Sequence, residues 1–561
     1  MARVEQQGKE CPERILALAP RGLTGAQPPE ALVQALVRLG PCLVVRVACL
    51  LVDLRERERL PRHLERRLAA HRFGHFIQPH GCIENERSTE VVVNVCLLRG
   101  HKRLRCVGVP LRSPGLYPFR QVSARYTLRE PHDRDRESAL VDFRPFRAIR
   151  YSEAAGPLDD LICPPYDVIS PAAERDLLDR SPHNMVRMEL AELDGPPPSG
   201  RYDNAAAALR SMLSGGVLAR DDAPAYYLLR QRFSAGGAER ERHCLFGALR
   251  LEELGSGVLP HENTAAGPKE DRLALMRAAH ANFSPILMLY RDETDTIART
   301  LAEAAAAPPD AEFAAGDERY ALWVLQDPSA VDAVSGTLAD ENLYVADGHH
   351  RYETALVYRD EVQDGAEFVL TGLVAFDDPG LLIRPYYRVV HSASPAQMAK
   401  LDQLLSFYFV SRPSGTPPGE SGLLDAVVAT LGQGQTVLGV VQQGQPPQLL
   451  TPANDIIPEP DPEAPPETQV RSVEAFVLQE MLFRPVFGDA FPEHVEYVHD
   501  GAEAMAMVER GEGQVAFFVK GLPPDVFRAV VGAGIRLPRK STYFYPKLPS
   551  GVVINLLDET A

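Results

Sequence analysis

The sequence predicts a mixed α/β fold (α+β mixed), on three observations. Two segments with strand-type alternation, Tyr226–Phe233 and Cys244–Glu252, stand among helical segments opened by Ser and Pro. An apolar run, Asn342-Leu343-Tyr344-Val345-Ala346, passes through Asp347-Gly348 into a helix from His349 to Arg359, giving a strand, a tight turn and a helix. A second alternation of helix and strand resumes at Val470, with a helix near Ala502–Glu509 before a strand at Val515–Phe518.

Charge and cysteine use divide the 561 residues near position 140. Residues 1–140 hold 24 Lys+Arg against 15 Asp+Glu and six of the eight cysteines, Cys11, Cys42, Cys49, Cys82, Cys96 and Cys106. The remainder holds 35 basic and 61 acidic residues, with Cys163 and Cys244. Within the first part, Glu56–Phe73 is expected as a basic helix and Thr89–Leu98 as a strand. His71, His75, His80 and Cys82 lack the paired spacing of a zinc site, so no metal is expected there. Two readings of 1–140 stay open: an appended basic domain, and an upstream extension of a reading frame that starts at Val141, where a GTG codon reads as Val internally.

In the remainder, Pro164-Pro165-Tyr166-Asp167 is extended, because the prolines disfavour helix. Ser170 then caps a helix with Pro171 at its first position, written as a capping box through Glu174. Asp167 is open between a functional carboxylate and a turn cap. Arg201–Leu213 and Arg272–Ala281 are expected helices, Asp271 marking the end of the second, and Phe368–Phe376 an expected strand. The expected domains are 1–140, a core at 141–452, an acidic Pro-rich linker at 453–469, mobile or extended, and an α/β segment at 470–561.

Composition excludes several function classes. A net charge of −17 makes nucleic acid an unlikely partner. No apolar run reaches membrane length; Leu43–Leu54 is interrupted by Arg46 and Asp53. No basic start followed by an apolar stretch marks a signal peptide, so a cytoplasmic protein without a membrane partner is expected. Walker A, Gly-x-Ser-x-Gly, His-Glu-x-x-His and Cys-x-x-Cys patterns are all missing. Oligomeric state is not legible.

The chemistry concentrates at Asp347-Gly348-His349-His350-Arg351-Tyr352-Glu353. A Gly turn at a helix start leaves N–H groups and the positive dipole end facing outward, which suits phosphate. Gly348 permits close backbone approach, and Arg351 in the first turn offers a bidentate fork. Lys269, after Pro268 in a loop, could reach the same phosphate. Lys540 and Lys547 flank Ser541-Thr542-Tyr543-Phe544-Tyr545-Pro546, either to cover a nucleotide or to decorate a terminal strand.

The Gly348–Arg351 stretch resembles the Gly-x-x-Arg phosphate motif of the ParB/sulfiredoxin superfamily, whose sulfiredoxins carry Gly-Cys-His-Arg. His349 stands where their Cys does, so sulfur chemistry is not implied. Over Phe143–Leu557 the chain resembles the DUF1015 family, in ordered blocks. These are Phe143-Arg144-Pro145-Phe146-Arg147-Ala148, Pro164–Ser170, Ser181-Pro182-His183-Asn184, His261-Glu262-Asn263-Thr264, Pro268–Leu273, Ser284-Pro285-Ile286, the Asp347–Arg351 stretch and Lys540–Lys547. The resemblance implies a ParB/sulfiredoxin-like core elaborated by insertions and a C-terminal α/β segment.

In the free-serine kinases of that superfamily a strand ending in His-Glu supplies the catalytic glutamate before the Gly-x-x-Arg helix. By that resemblance Glu262, with His261 and Asp347, is expected to be catalytic. Gly348, His349, His350, Arg351, Lys269, Arg388 and Lys540 are expected to bind a nucleotide, ATP or ADP with Mg²⁺. The gap from His261 to Gly348 is longer here and requires an insertion. Relatives carry Thr-His before Arg388, where this chain has Tyr386-Tyr387, so no catalytic His stands at that position.

Two functions remain. One is a nucleotide-dependent phosphotransferase acting on a small hydroxylated metabolite, free serine by analogy, with dephosphorylation of phosphoserine as its reverse sense. The other is a ParB-like nucleotide switch or regulatory protein without metabolite turnover.

Overall fold

The computed structural model describes residues 91–98, 104–111, 141–190, 200–263, 266–362 and 366–557. The chain divides into two compact units, Met1–Glu130 and Pro131–Ala561. In the first, Val91–Leu98 and Leu104–Leu111 pair as an antiparallel hairpin. The expected helix at Glu56–Phe73 and the His71, His75, His80 and Cys82 cluster lie outside the described residues.

The second unit is built on a nine-stranded mixed sheet. Its strands, in chain order after the short Phe143–Arg144, are Tyr226–Ala235 (β1), Ala238–Arg250 (β2), Val258–Leu259 (β3), Ile286–Tyr290 (β4), Ala311–Ala315 (β5), Glu318–Leu325 (β6), Leu343–Asp347 (β7) and Phe368–Ala375 (β8). Their spatial order is β5-β6-β1-β2-β8-β4-β7-β3, with Phe143–Arg144 beside β2. Both faces are buried. Along β1, Tyr227 and Leu229 enter one core while Tyr226 and Leu228 enter the other, as the two-residue period requires.

Two helices position the site: Ala266–Ala279 (α1) and His349–Val362 (α2). α2 buries Tyr352, Ala355 and Tyr358 against the sheet, as their spacing predicts. Each such large side chain contributes about 1.5–3 kcal/mol. The opposite face is covered by the helix Pro524–Gly532 and by a ribbon of Leu382–Arg384 (β9) and Tyr543–Tyr545 (β10). Ile383 and Phe544 of the ribbon point into that core.

Several expectations need correction. Ser170 does cap its helix, accepting from the Ala173 N–H, but the third helical residue is Ala173, so no acidic side chain completes a capping box. α1 begins at Ala266 instead of Arg272, because Pro268 is tolerated in a first turn. The expected linker at 453–469 is packed. Ile457 is buried, and the Gln469 amide donates to the carbonyls of Pro462 and Ala464. The α/β segment beyond it shares a sheet with the strands before it. Val515–Phe518 lies between Tyr387–Val390 and Leu438–Gln442 in a six-stranded antiparallel sheet. Among the described residues no helix is long and apolar enough to cross a membrane.

Candidate functional site

β7 ends at Asp347, and Gly348 turns the chain into α2 with φ of +95°. That left-handed backbone favours glycine, and a Cβ there would also meet the Arg351 guanidinium at 3.1–3.2 Å. Arg351 folds back over the turn. Its Nη2 donates to Asp347 Oδ2 at 2.7 Å and its Nη1 to the Pro285 carbonyl. The Lys547 ammonium donates to the other Asp347 oxygen and lies 3.9 Å from Asp167 Oδ2. Burial disfavours the Asp347 charge, but Lys547 and Arg351 outweigh it and hold its carboxyl well below the usual carboxylate range. Burial likewise opposes the charge on Lys547, which Asp347 and Asp167 restore and push above its ordinary range.

This geometry revises two expected roles. Asp347 was expected among the catalytic groups; with each oxygen on a cation it is an anchor and a poor proton acceptor. Arg351 was expected to hold phosphate with its whole fork. Its two terminal nitrogens are each engaged once, so it can offer only their remaining hydrogens and its Nε.

Strand β3 runs on into His261 and Glu262. The His261 ring is buried, its Nδ1 2.8 Å from the Val345 carbonyl and its Nε2 2.8 Å from Thr542 Oγ1. A carbonyl can only accept, so Nδ1 carries the proton and the threonine hydroxyl donates to Nε2. The backbone N–H of His261 donates to His349 Nε2 at 3.1 Å, and that of Glu262 approaches it at 3.4 Å. The two rings meet edge to face at 4.4 Å. Burial lowers both histidines, His349 well below the ordinary range. His261 was expected to be catalytic and His349 to bind the cofactor; both are instead neutral struts that clip the end of β3 to the first turn of α2. Ligand atoms of His261, Glu262 and His349 lie within 4.8 Å of one another. The trio does not fit a metal, since His349 Nε2 faces N–H donors and His261 Nε2 takes a hydroxyl.

Glu262 differs from these. Its Oε1 accepts the Lys540 N–H at 3.1 Å, and its other oxygen has no hydrogen-bond partner among the described residues. Its side chain is 20% exposed. Burial, then the carboxylates of Asp347, Asp167 and Glu262, raise the Tyr386 phenol. His350 is half-buried: burial lowers it, and Glu262 and Glu353 oppose that.

The remaining expected ligands sit as follows. Lys269 bridges α1 to α2 through Glu353 at 2.8 Å. Arg388 is buried and donates to the carbonyls of Tyr386 and Lys540, so it braces these two residues. Burial brings its guanidinium down to about 10. Lys540 has φ of +56° and places its Nζ 4.9 Å from the centre of the Tyr386 ring.

Sequence reasoning missed the supports of Lys547. Gln231 and Arg242 are opposed on β1 and β2, and both are fully buried. Arg242 donates to the carbonyls of Tyr545 and Pro546, and Gln231 to that of Lys547. Gln231 and Arg242 stand among other polar residues, Arg230 and Arg232 on one strand and Glu241 and His243 on the other, so no local signal marks them as buried, and their target lies about 300 residues away. The short helix carrying Asp167 is held by Glu189, which accepts the Tyr166 N–H at 3.3 Å, and by Arg272 over the Tyr166 ring at 4.1 Å.

A family model described as a protein of unknown function, DUF1015, matches residues 143–468. None of the curated proteins matches the chain. Among solved structures, a conserved hypothetical protein from Pyrococcus furiosus is 14% identical, over 54% of this chain and 92% of that one, with a TM-score of 0.29. A free serine kinase in complex with AMP is 12% identical, over 51% and 83%, with a TM-score of 0.27. SbnI with a C-terminal truncation, from Staphylococcus aureus, is 11% identical, over 54% and 84%, with a TM-score of 0.29.

Proposed function

The chain belongs to the DUF1015 family, and we propose that its Glu262 cleft transfers a phosphoryl group between a nucleotide and a small hydroxylated metabolite. One observation carries this reading. Glu262 is anchored through one oxygen and open through the other, and its own backbone is clipped by His349 to the Gly348–Arg351 helix start. A proton acceptor and a phosphate-suited turn are thus held at a fixed separation, which is the positioning that phosphoryl transfer needs.

In this reading Glu262 accepts the hydroxyl proton as the acceptor oxygen attacks phosphorus. The N–H groups at the start of α2, the remaining donors of Arg351 and the nearby ammonium groups stabilise charge on the transferred group. Asp347 fixes Arg351 and Lys547 and takes no proton. A nucleotide brings Mg²⁺ with its phosphates; the solvent-facing carboxylate of Asp167, 38% exposed, suits that hard cation, which would neutralise phosphate charge. Free serine is the acceptor to try first, and phosphoserine with ADP tests the reverse direction.

Glu262→Gln tests the assignment, because it keeps size and polarity and removes the basic oxygen. Turnover should fall by about 10²–10⁴-fold while ADP affinity survives. An unchanged rate in the variant would remove Glu262 as the base. ADP binding without turnover of any hydroxylated metabolite by the wild type would instead favour a nucleotide-responsive switch, which the saturated Asp347 ion set would equally serve.

A further inference from the structure

The ribbon of β9 and β10 has one face in the core and one turned away from it. Ile383 and Phe544 are buried. Arg384 pairs in register with Tyr543, and Leu382 with Tyr545, so Arg384, Tyr543 and Tyr545 share the opposite face. Tyr386, two residues beyond Arg384, continues it, its ring 5.4 Å from that of Tyr543.

Cations are laid on this aromatic face. The Arg384 guanidinium carbon lies 3.7 Å from the centre of the Tyr545 ring, and Lys540 Nζ lies 4.9 Å from that of Tyr386. The His499 ring stands 4.9 Å from Tyr543; burial lowers it, Asp500 opposes that, and Lys547, Arg384 and Lys540 lower it further, so it adds a neutral ring N–H to the two cations. A ring holds a cation in place without using its N–H donors, whereas a carboxylate would neutralise it. Among the described residues none of Arg384, Lys540 and His499 has an ion pair or a side-chain hydrogen bond. The nearby acids are engaged elsewhere through one oxygen each: Asp500 Oδ1 caps the helix Gly501–Glu509, and Asp425 Oδ1 takes the Tyr387 hydroxyl. Lys540 is moreover held in a left-handed backbone by two clamps, Glu262 on its N–H and Arg388 on its carbonyl.

We propose that Arg384, Lys540 and His499 form a subsite for an oxyanion, a phosphate or carboxylate group of a small-molecule ligand, on the aromatic face next to Glu262. Arg384 and Lys540 bring two positive charges to this aromatic face and His499 a ring N–H, and together they match an oxyanion's acceptors. The oxyanion comes either from the nucleotide or from the second substrate. The subsite rests on the cleft being a small-molecule site, and not on which reaction takes place there.

Calorimetric titration of the full chain with inorganic phosphate and with ADP tests it, using Arg384→Gln and Lys540→Gln variants checked for unchanged melting temperature. Phosphate should bind the wild type and weaken about tenfold or more in each variant, the loss typical of a charged hydrogen bond. A parallel loss for ADP assigns the subsite to a nucleotide phosphate; unchanged ADP affinity assigns it to the anionic group of the second substrate. Wild-type phosphate affinity in both folded variants, or no phosphate binding by the wild type at tens of millimolar, overturns the proposal. Turnover enters none of these readouts, so failure of the Glu262 assignment and failure of the subsite are separately visible.

Discussion

Two sets of charged groups lie near Glu262, and they are built differently. At the Gly348 turn, Asp347, Arg351 and Lys547 are mutually paired. On the ribbon, Arg384 and Lys540 lie on tyrosine rings with no carboxylate partner. Paired buried charges fix a shape; cations held by aromatic faces keep their donors for something else. The difference separates residues that hold the cleft from residues that meet a ligand, and residue type alone does not draw that line.

The largest break in this contrast is Asp347→Asn. It leaves Arg351 and Lys547 largely buried, 11% and 10% exposed, without their counter-ion. Breaking a buried pair from one side costs about 3–5 kcal/mol. Urea unfolding of the variant should show a loss of that order in the unit Pro131–Ala561. Arg384→Gln, on the exposed side of the contrast, should change stability by less than about 0.5 kcal/mol. Equal losses in the two variants would erase the distinction between scaffold and ligand-facing charge.

A smaller effect comes from the histidine clip. Burial holds the His349 imidazole well below its ordinary range, and that of His261 below it as well. The unfolded chain titrates these groups near 6.5. Below that pH it takes up protons that the folded chain refuses, so the stabilisation is fully present above about pH 7 and is lost as pH falls. The slope reaches about 1.4 kcal/mol per pH unit for each histidine. His349→Asn keeps an acceptor and removes one titration. Its stability should therefore depend less steeply on pH between about 7 and 5 than that of the wild type. The same slope in both would mean that folding does not lower the His349 imidazole.

The fold was legible where the signal is local. The strand into Asp347, the Gly348 turn and the buried stripe Tyr352, Ala355 and Tyr358 follow from period and turn chemistry. The Ser170 cap follows in the same way. What was hidden depends on partners distant in sequence. Asp347 was a reasonable catalytic candidate until Lys547, 200 residues on, was found on it. His261 looked like a catalytic group and His349 like a nucleotide ligand, and burial against Val345, Thr542 and each other makes them structural. The acidic, Pro-rich 453–469 reads as a linker because its anchors, Ile457 and Gln469, are single residues in a polar stretch. No window of the sequence shows that Val515–Phe518 inserts beside Tyr387–Val390.

The smallest effect lies at Lys269, which the sequence offers as a phosphate ligand and the structure sets on Glu353. Its side chain is 33% exposed and that of Glu353 27%, between the two regimes compared above. An ion pair so placed is weakened by solvent and contributes at most about 1 kcal/mol. A double-mutant cycle of Lys269→Met and Glu353→Gln should return a coupling within that limit, and ADP affinity should change less than about twofold. If Lys269→Met instead weakened ADP tenfold while Glu353→Gln did not, Lys269 would leave its helix bridge to meet the phosphates. It would then belong with the ligand-facing cations, and the N-terminal turn of α2 would have an ammonium of its own, independent of Lys547.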